Sequence, residues 1–553
     1  MFKPFIQVLN NQQKKKFYYL IILSLISGPL ELLSVTLLLP LINILSNGNN
    51  LFGFEILNIS KENILLLFIF FFILSIAFKL FTNYLIVKKT WLNMHLISKE
   101  ILNLLLYDNF ENFIKIKKST HTKNLIQEVN NFANNVYSEI CKLALNFSIV
   151  FFLLVGILYF SSYKIIILGV FVGFIFISFN FVIQNKLRHL GHLRSKDDSF
   201  RYNIISNAFE NYELIKIHDY KEHIIKIFKK ATLDFSKNMT KYQFYKMIFR
   251  PTIDMIIVFL MVLVIYKYFS IDENNRSIYL SEILLPIFAL YRIISPLSQI
   301  YQSFTTLFYY KNSISIISNY LKRYEAQLLE QENKIDHDKK LGISIKIENI
   351  SYNYFNNEKE IIHNLTFEFK HGNLYFINGD SGIGKSTLVN LIAGLLKPKK
   401  GRINYFHNGT NILPSNLNIG YAGQNTALFD GTLFENMIGF RDDGIKDYDK
   451  ELKNLIDLFE LRDWVNSLPN SLNTKISSSD ILPSGGQGQR ISIIRALIKK
   501  PQILILDESV SGIQKELCEK IILFIKEKYN NSIIILISHD KANLKYADLV
   551  LNL

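Results

Sequence analysis

Cysteine is almost missing. Cys141 and Cys518 are the only two in 553 residues, which excludes a disulfide framework and a cysteine-built metal cluster. Lys and Arg are nearly absent from three short stretches, 47–62, 161–163 and 270–278, although the chain as a whole carries a net charge of +15. No small-residue cleavage site follows the first apolar run, and that run is too long for a signal peptide, so none is expected to be removed. The excess of basic residues does not point to nucleic acid. It sits beside long apolar runs, where membrane topology accounts for it and no nucleic-acid partner is expected.

What the chain has in quantity is apolar bulk. Mean hydropathy is +0.17, and aromatic residues make up 14% of the chain, with 44 Phe. A chain of this length exceeds one domain. Six apolar segments, 17–46, 63–87, 138–160, 164–184, 249–269 and 279–303, are each long enough for a hydrocarbon core that needs about 20 residues. Between them, stretches 88–137 and 185–248 are rich in Lys and Arg, including Lys88, Lys89, Lys115, Arg188 and Arg194. The positive-inside rule makes these stretches and both termini cytoplasmic. Helical periodicity through Leu102, Leu105, Leu106, Phe110 and Phe113 predicts membrane helices that extend well past the bilayer. Residues 1–16, apolar and then Lys14-Lys15-Lys16, read as a short helix lying on the cytoplasmic leaflet.

Lys79, Arg250 and Arg292 fall within or at the edge of predicted spans. An ionisable group there costs about 2.5–3.5 kcal/mol on insertion scales and is a functional candidate by default. Three cations facing one cavity would suit a pyrophosphate, with arginine engaging its oxygens in bidentate fashion. The competing explanation is snorkelling to the interface or pairing with Glu31 or Asp254.

Polarity rises after Ser303, and 322–342 reads as a charged linker. Strands and helices then alternate from Ile343 to the end, the pattern of an α/β domain. At its centre lies Gly379-Asp380-Ser381-Gly382-Ile383-Gly384-Lys385-Ser386-Thr387, which fits G-x-x-x-x-G-K-[ST]. Leu374–Ile377 before it reads as a strand and Leu388–Ala393 after it as a helix. Backbone N–H groups of this loop and the helix N-terminus can cradle phosphates. Lys385 supplies charge to the β/γ-phosphates, and the Ser386 hydroxyl can ligate Mg²⁺.

Further motifs follow in a fixed order, and with them residues 343–553 resemble the nucleotide-binding domain of ATP-binding-cassette (ABC) transporters. Tyr354 stands where that family stacks an aromatic on adenine, with neighbouring Tyr352 as its rival. Gln424, in I-G-Y-A-G-Q-N, matches the glutamine that touches Mg²⁺ or the attacking water. Ser484-Gly485-Gly486-Gln487 resembles the signature that caps the γ-phosphate of ATP held on the other subunit. Pro483 replaces the usual leucine before it, tolerable just ahead of a helix. Strand Ile503–Leu506 ends in Asp507-Glu508, which implies Mg²⁺ ligation by Asp507 and water activation by Glu508. His539 matches the histidine that reaches the γ-phosphate. Two departures stand out: Gln514 replaces the aspartate of the loop that couples the two sites, and Ser477–Ile481 replaces a glycine-rich stretch.

The resemblance to exporter-type ABC proteins covers nearly the whole chain and implies a multi-domain fold. Residues 1–321 form a six-helix, all-α transmembrane domain, 322–342 a linker, and 343–553 an α/β P-loop ABC nucleotide-binding domain. One signature per chain implies a homodimer. Coupling helices are expected at 211–222 and near 111–125. Phe288-Ala289-Leu290-Tyr291-Arg292, Pro296, Leu307–Tyr310 and Ile314–Ile317 are similar to bacterial lipid-linked oligosaccharide flippases of the PglK and Wzk type, and 47–60 resembles their extra external helix. The implied activity is ATP-driven flipping of a polyprenyl-pyrophosphate oligosaccharide across the bacterial inner membrane, with the nucleotide-binding domain in the cytoplasm. Lys79, Arg250 and Arg292 are its candidate substrate residues. Export of another lipid, a drug or a peptide, and an ATP-binding regulator with little turnover, are the alternatives.

Overall fold

The computed structural model describes the chain except residues 1, 38–60, 161–162, 270–275, 329–341, 355–358, 441–448 and 477–482, and the side chains at further positions, 279–290 among them. It divides into two units: residues 1–108 with 116–330, and residues 109–115 with 331–553.

The first unit is helical wherever it is described. Long apolar runs in which proline is rare leave the helix as the one conformation that satisfies every backbone polar group in lipid. Helix Lys61–Tyr107 has 47 residues and Tyr163–Glu210 has 48. At about 1.5 Å per residue each is roughly 70 Å long, far beyond a hydrocarbon core of about 30 Å. The expected extension past the bilayer is therefore present as continuous helix. The first apolar run is broken: helix Asn11–Leu25 ends, and Ser27–Thr36 begins with Pro29 in its first turn, a position proline tolerates. Among the described residues three helical segments, Asn11–Thr36, Leu65–Tyr107 and Lys118–Gly156, are long and apolar enough to cross a membrane. The other expected spans lie on Tyr163–Glu210, Phe249–Phe269 and Arg276–Tyr309, whose side chains are only partly described. The expected external helix at 47–60 falls outside the described residues. The stretch expected to be a linker begins as helix, because Lys311–Leu328 runs through 322.

Residues 1–16 are not a free interfacial helix. Phe2–Val8 buries Phe5, Val8 and Leu9 completely or nearly so, and the Phe5 ring meets Phe17 at 5.3 Å and Phe132 at 5.8 Å. Aromatic packing outweighs what the leaflet offers these side chains. Helix Tyr163–Glu210 closely approaches Arg276–Tyr309 at Gly191, where a Cβ would lie 1.9 Å from the Tyr309 carbonyl oxygen.

Arg194, one of the basic residues that set the topology, is buried. Its guanidinium donates to Glu128 Oε2 at 3.1 Å, pairs with Asp198 at 3.6 Å and lies 4.6 Å from the centre of the Tyr310 ring. Lys123 reaches the other Glu128 oxygen at 3.1 Å, and the Ser313 hydroxyl donates to Glu128 at 2.5 Å. Such buried charges hold only when they are paired and hydrogen-bonded together. The segment carrying Lys123 and Glu128 contains two π-helical turns, Asn124–Glu128 and Ala133–Tyr137.

The second unit contains two main sheets and a short pair, β7 Gly431–Thr432 with β8 Lys475–Ile476. The antiparallel one has the order β2-β1-β4-β5, with β1 Ile343–Tyr352, β2 Ile362–Lys370, β4 Lys400–His407 and β5 Thr410–Ile412. The parallel one has the order β11-β3-β10-β9-β6, with β3 Leu374–Asn378, β6 Ile419–Ala422, β9 Ile503–Asp507, β10 Ile533–Ile537 and β11 Leu549–Asn552. Strands β9 and β10 are buried throughout. Their Ile/Leu runs without alternation are what a parallel sheet covered on both faces requires. Residues 109–115 pack with this unit, Phe110 against the core that contains Leu388 and Ile392, and Glu111 Oε1 2.9 Å from Lys399 Nζ.

Candidate functional site

The site forms where adjacent parallel strands end. The phosphate loop follows β3, Gln424 follows β6, Asp507 closes β9 with Glu508 next, and His539 lies two residues beyond β10. In the sheet β3, β10, β9 and β6 are consecutive neighbours. Their carboxyl ends therefore bring chain segments far apart in sequence onto one edge, where ligands of open α/β sheets bind.

The loop turns through Gly382 and Gly384 at positive φ, 84° and 117°, and a Cβ on Gly384 would meet the Ile361 side chain at 2.7 Å. Helix Lys385–Ile392 begins directly after it. Lys385 Nζ donates to the carbonyls of Gly379 at 2.7 Å and Asp380 at 3.4 Å, so the ammonium lies over the loop it belongs to.

Glu508 has a left-handed backbone, φ 54°, rare for a residue with a side chain and characteristic of functional sites. Its N–H donates to the Ile537 carbonyl at 2.9 Å. Gln424 Nε2 donates to one carboxylate oxygen at 2.7 Å, and His539 Nε2 lies 2.8 Å from the other. Asp507 is buried; burial first, then the neighbouring Glu508 charge, push its carboxyl above the ordinary range. The Ser386 hydroxyl bonds to it, and Tyr421 donates to it at 3.5 Å. A desolvated carboxylate beside a second one, with a hydroxyl in contact, is a donor set of hard oxygens. Ser386 and Asp507 fit Mg²⁺, whereas the Gln424 amide is turned to Glu508.

Tyr352 is fully buried, whereas Tyr354 is half-buried and its hydroxyl lies 3.2 Å from Thr387 Oγ1. Of the two rivals, only Tyr354 has ring surface left for a base. Helix Gly485–Leu497 starts at an N-cap formed by Ser484. The Ser484 side chain accepts from the Gln487 N–H at 3.3 Å, and Gln487 Oε1 accepts from the Ser484 N–H at 2.8 Å. Pro483 lies just outside that helix, where its missing N–H costs nothing. Among the described residues Ser484, Gly485, Gly486 and Gln487 share no hydrogen bond with the phosphate loop. One neighbour of the site, Tyr421 beside Asp507, carries no role in the motif reading. Residues 477–481 are outside the described residues.

In the helical unit two of the three expected free cations are paired. Arg292 forms an ion pair with Glu31, which also accepts from Ser75 at 2.5 Å, and lies 4.8 Å from the centre of the Phe72 ring. Arg250 pairs with Asp254 at 3.1 Å. The idea of three uncompensated charges fails, because an acid on the next turn holds Arg250 and one on another helix holds Arg292. Of the three, Lys79, half-buried on helix Lys61–Tyr107, has no acidic partner among the described residues.

Membrane-length helices in one unit, and in the other a phosphate loop, paired acids and a histidine on a parallel sheet edge, define a membrane protein with a nucleotide-binding half. The chain belongs to the ABC transporter family: residues 17–294 match the family model described as ABC transporter transmembrane region and 362–511 the one described as ABC transporter. A Rickettsia typhi protein provisionally named an export ATP-binding/permease protein is 32% identical over 213 residues, 38% of this chain and 36% of that protein. The uncharacterised Bacillus subtilis ABC transporter ATP-binding protein YfiB is 33% identical over 199 residues, 35% of this chain and 34% of its own length. These matches span about a third of the curated relatives. A bacterial Atm1-family ABC exporter solved with ATP bound shares the fold, with a TM-score of 0.77, 98% of this chain and 94% of that chain covered, and 16% identity.

Proposed function

We propose that the chain hydrolyses Mg²⁺–ATP and uses the energy to move cargo outward across a bacterial cytoplasmic membrane as a homodimer. The observation that supports it most is the meeting of Gln424 and His539 on the two carboxylate oxygens of Glu508. That carboxylate polarises water for in-line attack on the γ-phosphate. Lys385, the loop amides from Gly379 to Thr387 and His539 hold the phosphates, Tyr354 stacks on the base, and Ser386 and Asp507 hold Mg²⁺. Ser484 to Gln487 complete the site of the other subunit. Short helix Tyr212–Ile217 has no buried residue and exposes Tyr212, Leu214 and Ile217, apolar surface that a second copy would cover. The domain division at 322–342 is part of the same reading. The purified Glu508→Gln variant should bind ATP with near-normal affinity and turn over at least ~100-fold more slowly; turnover at the unmutated rate would sink the assignment.

For the cargo, the local similarity to lipid-linked oligosaccharide flippases and the basic residues on the spans favour a polyprenyl-pyrophosphate oligosaccharide. Lys79 would meet the pyrophosphate first, and Arg292 would exchange Glu31 for it. In reconstituted vesicles Lys79→Gln with Arg292→Gln should impair flipping of such a glycolipid while basal ATP turnover persists. Full flipping by that double variant would rule out the assignment, and no flipping by the unmutated chain would favour a drug, peptide or other lipid.

A further inference from the structure

We propose that Gln489 is a positioning residue for ATP hydrolysis: from within the same chain it straps the loop 508–514 and so holds the backbone of Glu508. The inference rests on the hydrolytic reading above. Gln489 Oε1 accepts from the Gly512 N–H at 2.9 Å, and its Nε2 donates to Ser511 Oγ at 3.5 Å. The Ser511 hydroxyl donates in turn to the Glu508 carbonyl at 2.8 Å. With the Glu508 N–H on Ile537, both sides of that residue are tethered. Its left-handed conformation is one that persists only where the surroundings over-determine it.

The strap works only with glycine at two places. A Cβ on Gly512 would lie 2.5 Å from Gln489 Oε1, and one on Gly486 would lie 3.0 Å from the Gly512 carbonyl oxygen. The helix that carries Gln489 is itself fixed. Arg490 donates to the carbonyls of Phe459 at 2.9 Å and Glu460 at 3.2 Å, and Arg495 to those of Ala427 at 2.7 Å and Asn436 at 2.6 Å.

At the far end of the loop the usual device is absent. Gln514 occupies the N-cap position of helix Lys515–Lys528 and makes no side-chain cap hydrogen bond. Short side chains such as Asp, Asn and Ser cap well because their oxygens reach the first-turn N–H groups, and glutamine is not among them. The loop therefore lacks a cap at its C-terminal end and draws its order from Gln489 at its centre.

The test uses the full-length chain in lipid, with two readouts: kcat and KM for ATP, and hydrogen exchange of the peptide covering 508–514. Gln489→Ala should lower kcat about fivefold or more, leave KM within about twofold, and speed exchange at Gly512. Gln489→Glu keeps the acceptor and should keep kcat within about twofold of the unmutated chain. Adding Gln514→Asp to Gln489→Ala supplies a cap and should restore most of the lost kcat. Unchanged exchange in Gln489→Ala would overturn the strap. Faster exchange with unchanged kcat, or Gln489→Glu as impaired as Gln489→Ala, would overturn the positioning role. An unmutated chain without turnover would defeat the hydrolytic reading and the positioning role with it, while exchange would still judge the strap.

Discussion

Asp507 has the carboxyl pushed above its usual range, by burial first and by Glu508 second. The sign of its linkage follows. The folded, metal-free chain keeps a proton that the unfolded chain has lost, so this group's contribution to stability falls as pH rises through the folded pKa. In the proposed function Asp507 would hold Mg²⁺ as a carboxylate, so the proton would have to leave first. Affinity for Mg²⁺ should therefore weaken on acidification, beginning above the ordinary aspartate value of about 3.9. Calorimetric titration of Mg²⁺ with a non-hydrolysable ATP analogue across pH would read the effect, and Asp507→Asn should remove the part of the pH dependence that exceeds the nucleotide's own. In the helical unit, Glu31 and Arg292 form a pair whose partners are nearly buried. Removing one partner of such a pair typically costs ~3–5 kcal/mol, while replacing both costs much less. Glu31→Gln should lower the melting temperature in detergent, and Glu31→Gln with Arg292→Gln should recover most of it. Equal loss in both would show that the pair contributes nothing beyond each residue's own packing.

Among the elements, the signature helix was legible through the family resemblance. The capping box of Ser484 and Gln487 that starts it came with the structure. Ser484→Ala should cost about 1 kcal/mol of local helix stability, seen as faster hydrogen exchange in the first turn after Gly485. The strands around the phosphate loop were equally plain, because unbroken Ile/Leu runs bounded by loop residues leave little choice. Pairing with Glu31 or Asp254 was readable as an alternative but not decidable. Glu31 and Arg292 stand 261 positions apart, and nothing local in either segment selects that pair over snorkelling. The burial of Phe2–Val8 was hidden for the same reason: an apolar helix beside lysines looks the same whether lipid or protein covers it.

For the whole molecule, the proposed homodimer would place the signature of one chain over the phosphate loop of the other; within one chain the two share no hydrogen bond among the described residues. A chain carrying Ser381→Cys and Ser484→Cys should crosslink between subunits when ATP is trapped in the Glu508→Gln background, read as a dimer band on non-reducing gels. The natural Cys141 and Cys518 are buried and contribute little background. Monomer alone under those conditions would count against the homodimer. The two-unit plan and the nucleotide half were readable because their motifs are chemical. The number of spans and the cargo were not, since lipid-facing surface carries little information about neighbours.

The paired π-turns in Lys118–Phe160 have a consequence for what insertions and deletions the gene can bear. Buried residues there recur every fourth position: Asn124, Glu128, Phe132, Val136 and Ile140. At about 100° per residue a four-residue step overshoots one α-helical turn by roughly 40°, so in ideal helix that row would spiral away from its neighbours. A π-turn takes one extra residue into its ring and absorbs part of the overshoot. Each is thus a one-residue insertion already carried in the frame. Deleting a single codon within Ala133–Tyr137 would regularise that turn and leave Lys123 and Glu128 nearly in phase with Arg194, whereas a deletion in the regular helix after it would rotate them by roughly 100°.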